Sequence, residues 1–312
     1  AASAEDRDKA TEALGVAPAD IAAGLGTIFS PLAFTALTDL ENLSVPAQNG
    51  KKNGNLLVVA DPDAMAEKGF HRLLNRLGTK GMSVDLLPNL AERALGRIPL
   101  DIAEAFRSHY EVVFNDLVLD PVQRILDVAI SLCTLAALSP AMVLVALAVR
   151  LDSKGGAIFA QDRVGLDGEI YRMHKFRTMT AREEGAESPA FADQEAHRIT
   201  RVGRVLRKTR LDELPQLWDV LVGNMSLVGP RPEQPAFVEQ FREAIPFYEY
   251  RQEARPGITG WAQINYDYAY DLEGTKRKLE YDLYYVKRRS TMLDLQILLK
   301  TLEIMVGRRG AR

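Results

Sequence analysis

The longest run of apolar positions in the chain, Val128 to Val149, is 22 residues without a charge, set between Asp127 and Arg150. As one helix at about 1.5 Å per residue it reaches about 33 Å, enough to span a bilayer core of about 30 Å. Ser139 and Pro140 sit in its middle. An internal proline removes a hydrogen bond and clashes with the preceding turn. Each half is then roughly 17 Å long, sufficient to enter one leaflet and return. The pattern predicts a re-entrant helix-break-helix over residues 121–153, with the Ser139 hydroxyl available to carbonyls released near the break. A proline-kinked spanning helix or a buried core helix fits the same pattern. Flanking charge does not separate them, because Arg124 and Arg150 lie on opposite sides while Asp116 and Asp120 dilute the first flank.

Other periodicities are shorter. Residues 56–60 are an apolar run of strand length, residues 61–78 a helix capped by Asp61, opened by Pro62 and stopped by Gly78, and residues 82–87 a second strand. That order seeds a parallel α/β layer, and the turn after its first strand lacks the Gly-rich loop of a nucleotide site. The unit therefore reads as a docking or regulatory module, with so few strands that it could pair with a second copy in a homodimer. Residues 1–54 show helix-like patches broken by Gly, Pro and Ser and end in a linker from Ser44 to Gly54. Residues 181–197 are polar and acidic without an apolar period and read as a surface loop. Met292 to Val306 form an amphipathic run behind Tyr281, Tyr284, Tyr285 and Lys287, Arg288, Arg289. Its apolar face suits a membrane surface or the protein core equally.

The candidate chemistry lies between these elements. Asp212 and Glu213 stand side by side ahead of the apolar positions Leu214, Leu217, Trp218 and Leu221. Pro215 is tolerated only in the first turn of a helix, so the helix begins near Asp212 and sets both carboxylates at its N-terminus. Free N–H groups and the helix dipole stabilise negative charge there by roughly 0.3 to 1 kcal/mol, which helps keep an Asp of ordinary pKa about 3.9 ionised. Taken alone, the pair is more simply an N-capping Asp with a Glu neighbour. Its surroundings shift that balance: Arg201, Arg204, Arg207, Lys208 and Arg210 precede it, and Gly229-Pro230-Arg231-Pro232 follow. Arginine matches phosphate oxygens with a bidentate fork, and flanking prolines leave the backbone of Arg231 little freedom to lose. A carboxylate among such groups can attack phosphorus or hold Mg2+. The segment has the chemistry of phosphoryl transfer on a diphosphate, with Arg207 and Arg231 its best phosphate ligands. Arg201, Arg204 and Arg210 also suit a solvated helix face or a patch resting on anionic lipid. Further on, Arg255 is fixed by Pro256 and followed by two glycines where the backbone can turn or approach a ligand closely.

Composition works by exclusion. In 312 residues, 47% hydrophobic and 26% charged describes a globular chain long enough for two domains, and a net charge of -3 argues against a general nucleic-acid binder. The single cysteine, Cys133, lies in the apolar run, which excludes a disulfide framework or zinc site and fits a reducing compartment. His71, His109, His174 and His197 lack metal-ligand spacing and receive no role, His174 reading as a strand or site-wall residue. The first residues are acidic where a secretory signal would be basic.

From Gln123 to Ala311 the chain resembles the monotopic phosphoglycosyl transferases, bacterial enzymes that move a sugar 1-phosphate from a nucleotide sugar to polyprenyl phosphate. Five segments carry the resemblance in family order: LDVAISLCTLAALSPAMVLVALAVRLDS, QDRVGLDGEIYRMHKFRTM, TRLDELPQLWDVLVGNMSLVGPRPE, RPGITGWAQIN and YDLYYVKRRSTMLDLQILLKT. It implies that Asp212 is the covalent nucleophile and Glu213 its partner, that both attend a Mg2+ ion, and that Lys175, Arg207, Arg231 and Arg255 line the site. It favours re-entrance at Ser139-Pro140, with both ends on the cytoplasmic face of the bacterial inner membrane and membrane lipids around the hairpin. The donor is then a UDP-sugar and the acceptor polyprenyl phosphate, in exopolysaccharide, capsule or O-antigen assembly. A catalytically idle scaffold of a polysaccharide assembly complex and a nucleotide-sugar hydrolase are the competing readings. Longer members carry a Rossmann-like accessory domain after several spanning helices. None of those helices is visible here, so the accessory unit reads as truncated. The expected fold class is mixed α/β: residues 1–54 as segment and linker, 55–120 as a partial Rossmann-like unit, 121–153 as the re-entrant helix, and 154–312 as a mainly helical catalytic domain.

Overall fold

The computed structural model describes residues 87–115, 120–180, 196–266 and 271–306. The chain divides into two compact units, residues 1–111 and 112–312. The first contributes helices α1 (Leu87–Leu95) and α2 (Leu100–Ala105), and the division falls within α3 (Arg107–Asn115). The strand-helix-strand expected over residues 56–87 lies outside the described residues, apart from Leu87 at the start of α1.

The second unit opens with α4, Pro121–Asp152, capped by the Asp120 carboxylate, which accepts from Val122 N at 2.8 Å. At 32 residues it is about 48 Å long. It is the one helix among the described residues long and apolar enough to cross a membrane, and 6% of its most apolar stretch is buried, which removes the buried-core alternative. Ser139-Pro140 does not interrupt it. Pro140 cannot donate to the carbonyl four residues back, that of Ala136, and the Ser139 hydroxyl donates to that same carbonyl at 2.9 Å. The proline is thus accommodated inside one helix, where the sequence pattern predicted a break.

Both ends of α4 are fastened to the same unit. At its start, Arg124 donates to Val220 O at 2.5 Å and Leu221 O at 2.8 Å, Asp127 accepts from Leu227 N at 2.9 Å, and Gln123 reaches Tyr285 at 3.0 Å. At its end, Asp152 accepts from Val202 N at 2.9 Å, and Arg177 donates to Ser153 O at 2.7 Å and Lys154 O at 2.9 Å. Val149 packs with Ala157, Phe176 and Leu206. Between these anchors Leu132, Val143, Leu144 and Leu147 are exposed.

An antiparallel hairpin follows, β1 (Ile158–Val164) with β2 (Ile170–Phe176), in a register that sets Phe159 opposite Lys175. Helix α5 (Arg201–Thr209) is capped by Thr200 and leads through Arg210 into a single 3-10 turn, Leu211–Glu213. Helix α6 is Gln216–Val222, stopped by Gly223 at φ 99°. Pro215 sits at its N-cap, so the helix predicted near Asp212 begins as a 3-10 turn and continues as α6. Strand β3 (Ser226–Val228) pairs in parallel with β4 (Gly257–Thr259), and α7 (Pro235–Ala244) and a 3-10 helix, Tyr248–Glu253, lie between them in sequence. The approach is close: a Cβ on Gly257 would sit 2.0 Å from Gly229 N. Helices α8 (Trp261–Asn265), α9 (Leu272–Arg288) and α10 (Thr291–Val306) complete the unit, with Leu279, Leu283, Val286 and Ile297 at the centre of its core. Helix α10 buries Ile297 and Asp294 and leaves Met292, Leu295, Leu299, Leu302 and Met305 exposed, so it serves the core with one face and presents an apolar stripe on another.

Candidate active site

Asp212 and Glu213 share the 3-10 turn that Arg210 opens with a left-handed backbone, φ 58°. Such a conformation costs a non-glycine residue of order 1 kcal/mol or more, and here it ends α5 and opens the 3-10 turn. Asp212 is buried, and its Oδ1 has no hydrogen-bond partner. Glu213 is engaged: Arg231 Nη2 donates to its Oε1 at 3.0 Å, and Arg210 Nη1 lies 3.7 Å from the same oxygen.

The two carboxyls titrate in opposite directions. Burial pushes Asp212 above the ordinary aspartate value and the charge of Glu213 adds to it, with Lys175 and Arg210 pulling the other way. Burial also opposes ionisation of Glu213, but Arg231 and Arg210 outweigh it and hold that carboxyl below the usual range. The sequence expectation that a helix terminus lowers Asp212 is therefore corrected: the α-helix starts four residues later, at Gln216, and burial prevails.

Lys175, on β2, feels both carboxylates and lies with Nζ 5.7 Å from the centroid of the Phe159 ring. Burial, then the nearby Arg163 and Arg231, bring its ammonium down to about 8. Arg207 occupies the last turn of α5, and its Nη1 is buried without a hydrogen-bond partner, a donor available to a ligand. The structure thus gathers Asp212, Glu213, Lys175 and Arg231. It does not bring Arg255 to them: that Nε donates to Gly223 O at 3.2 Å, at the far end of α6 from the carboxylates, where Arg124 also binds carbonyls.

Arg210, which from the sequence suited the carboxylate surroundings and a solvated helix face alike, reaches Glu213. Two further participants escaped the sequence reading. Arg163 on β1 influences Lys175, and its Nη1 donates to Pro232 O at 3.0 Å. Asp219 on α6 is fully buried and accepts from His174 N at 2.8 Å, with His174 Nδ1 2.7 Å from its other oxygen. That bond ties β2, which carries Lys175, to the helix that follows the carboxylate turn. The signal for Arg163 was its place in QDRVG; nothing local marked Asp219.

The loop bearing Arg231 is pinned from outside. The carbonyls of Pro230, Arg231, Pro232 and Glu233 accept in turn from Gly257 N at 3.0 Å, Arg251 Nη2 at 2.8 Å, Arg163 Nη1 at 3.0 Å and Val164 N at 3.0 Å.

A family model described as bacterial sugar transferase matches residues 118–308. A UDP-N-acetylgalactosamine-undecaprenyl-phosphate N-acetylgalactosaminephosphotransferase of Aeromonas hydrophila is 40% identical over 263 residues, 82% of this chain and 60% of its own length. A UDP-glucose:undecaprenyl-phosphate glucose-1-phosphate transferase of Escherichia coli K12 is 36% identical over 269 residues, 84% of this chain and 56% of its own. One of the same name from Caulobacter vibrioides is 42% identical over 181 residues, 57% of this chain and 67% of its own. The chain therefore spans less than two thirds of the first two relatives. With the family match covering the apolar helix, the carboxylate turn and the arginine loop alike, this chain belongs to the bacterial sugar transferase family.

Proposed function

We propose that this chain transfers a sugar 1-phosphate from a UDP-sugar to polyprenyl phosphate, releasing UMP through a covalent intermediate on Asp212. The observation that carries the reading is the unequal pair: Asp212 has a buried oxygen without a partner, while its neighbour Glu213 is held by Arg231. A free Asp212 oxygen attacks the phosphorus next to the sugar, and the bond to UMP breaks with its electron pair leaving on UMP. An oxygen of the lipid phosphate then attacks the same phosphorus, and the bond to Asp212 breaks to restore the carboxylate. Arg231, Lys175 and Arg207 offer positive charge to the phosphate oxygens throughout. Arg255, proposed from sequence as a fourth such group, has the weaker geometric support. Uridine and undecaprenyl phosphate enter this reading from the relatives, which are named for UDP-sugars and that lipid.

The donor set also suits Mg2+. It commonly takes one or two carboxylates plus phosphate oxygens and waters, and the carboxylates of Asp212 and Glu213 would provide the protein share. When bound, the ion neutralises diphosphate charge.

We propose that α4 enters and leaves the inner membrane at its cytoplasmic face by bending at Pro140, without the break expected from the sequence. Supporting it, residues 123–127 and 149–153 of one helix are hydrogen-bonded to one compact unit, so a fully spanning α4 would have to lose one set of these bonds. Cysteines placed at positions 124 and 150 should both be shielded from a periplasmic label in cells. Labelling of either from that side would mean that α4 crosses.

Turnover separates the readings. With purified protein, Mg2+, polyprenyl phosphate and a panel of UDP-sugars, UMP and a lipid-linked sugar should appear together. UMP without lipid product would mean a hydrolase, and no UMP from any donor a scaffold.

A further inference from the structure

Arg251, on the 3-10 helix Tyr248–Glu253, is a cation enclosed by protein outside the carboxylate turn; its side chain is 6% exposed and that of its partner Asp282 is 3%. Its Nε and Nη2 donate to Asp282 Oδ2 at 3.2 and 2.8 Å, and Nη1 donates to the Tyr248 hydroxyl at 3.3 Å. The guanidinium lies 5.4 Å from the centroid of the Tyr248 ring. Nη2 also donates to the carbonyl of Arg231 at 2.8 Å. A buried ion pair is often no more stabilising than apolar residues of the same volume, so stability is a poor account of this one. What a guanidinium adds is a grip on a carbonyl. Arg231 stands between Pro230 and Pro232, which have no N–H, and the orientation of this backbone rests largely on what its carbonyls accept. The carbonyl held by Arg251 belongs to the residue whose side chain faces Glu213.

We propose that Arg251 is a positioning residue for Arg231, fixing its main chain so that its guanidinium meets the diphosphate of the donor. The proposal rests on reading Arg231 as a phosphate-binding group. It predicts that any effect of Arg251 on the donor vanishes when the Arg231 side chain is gone.

The test is a double-mutant cycle on the full chain in detergent, with UDP affinity and UMP release both measured. Arg251→Lys keeps a charge beside Asp282 but lacks the fork that holds Asp282 and the Arg231 carbonyl together. We expect it to weaken UDP binding and lower kcat/KM by about tenfold, the scale of a modest misplacement, and to cost nothing further in an Arg231→Ala background. Equal losses in both backgrounds would show that Arg251 acts through the fold at large and overturn the proposal, as would a folded Arg251→Lys with unaltered UDP affinity and kcat/KM. If Arg251→Lys does not fold, Tyr248→Phe removes only the hydroxyl that accepts from Nη1. A loss of about two- to threefold that disappears with Arg231→Ala is then expected, and a loss that persists there, or none at all, contradicts it. Unaltered protein that binds UDP yet releases no UMP would refute the transferase reading while the UDP arm still decides the role of Arg251. Failure to bind UDP at all would overturn both.

Discussion

The carboxylate turn and the arginine loop meet at one ion pair, Arg231 to Glu213, and are built on opposite plans. In the loop, four successive carbonyls from Pro230 to Glu233 each accept a hydrogen bond from another part of the unit. In the turn, Arg210 holds a left-handed backbone and Asp212 keeps a buried oxygen without a partner. A buried unpaired acceptor costs on the order of 1–3 kcal/mol. A fold that was only being stabilised would gain by pairing it. The contrast suits a division of labour in which the group that reacts is left unsatisfied and the group that orients is over-determined.

The largest effect should come from the unsatisfied side. Asp212→Asn nearly preserves shape and removes the anionic nucleophile, so UMP release should fall by on the order of 10^3-fold or more while UDP-sugar affinity stays within a few-fold. Loss of affinity in parallel with turnover would make the turn a binding element and erase the contrast. Next comes the over-determined side. Arg231→Lys keeps charge on a fixed backbone but gives up the fork, and roughly a 10- to 100-fold loss in kcat/KM, with weaker UDP binding, is expected from one or two lost charged hydrogen bonds. An unchanged affinity would show that charge alone is needed there.

Lys175 faces both regions, and its effect should be the smallest and the most sensitive to pH. Its ammonium, brought down to about 8 by burial and the neighbouring arginines, loses its charge as pH rises through that value. Attraction for the diphosphate should weaken with it, so kcat/KM should decline above about pH 8, and Lys175→Arg, charged throughout, should remove that decline. On the acid side, the raised carboxyl of Asp212 should end activity at a higher pH than an ordinary aspartate would. An alkaline limb unmoved by Lys175→Arg would assign it to another group.

How much of this was legible in the sequence follows from the range of each interaction. The apolar run and the α10 stripe are local patterns, and the elements Pro121–Asp152 and Thr291–Val306 lie where they predicted, whereas the helix expected to begin near Asp212 is a 3-10 turn there and an α-helix only from Gln216. Asp219 and Arg251 were not legible, because their partners are 45 and 31 residues away and no periodicity spans such a distance. The direction of the Asp212 shift depends on burial, which spacing does not report. Arg255 was placed by its neighbouring proline and glycines, yet what it binds is the end of α6. At Ser139-Pro140 the hydroxyl meets the carbonyl freed by the proline, as the sequence led us to expect, while the helix continues through the position where a break was expected.

The proposed reaction turns on a covalent bond between the unpartnered oxygen of Asp212 and phosphorus. Mass spectrometry of the intact protein and its peptides, after mixing with UDP-sugar and Mg2+ in the absence of polyprenyl phosphate, measures this directly. A sugar-phosphate adduct is expected on the peptide containing Asp212, lost on adding the lipid acceptor and absent from Asp212→Asn. Full turnover by Asp212→Asn, verified free of deamidation, with no adduct on the unaltered protein, would contradict it and mean that the lipid phosphate attacks the donor directly.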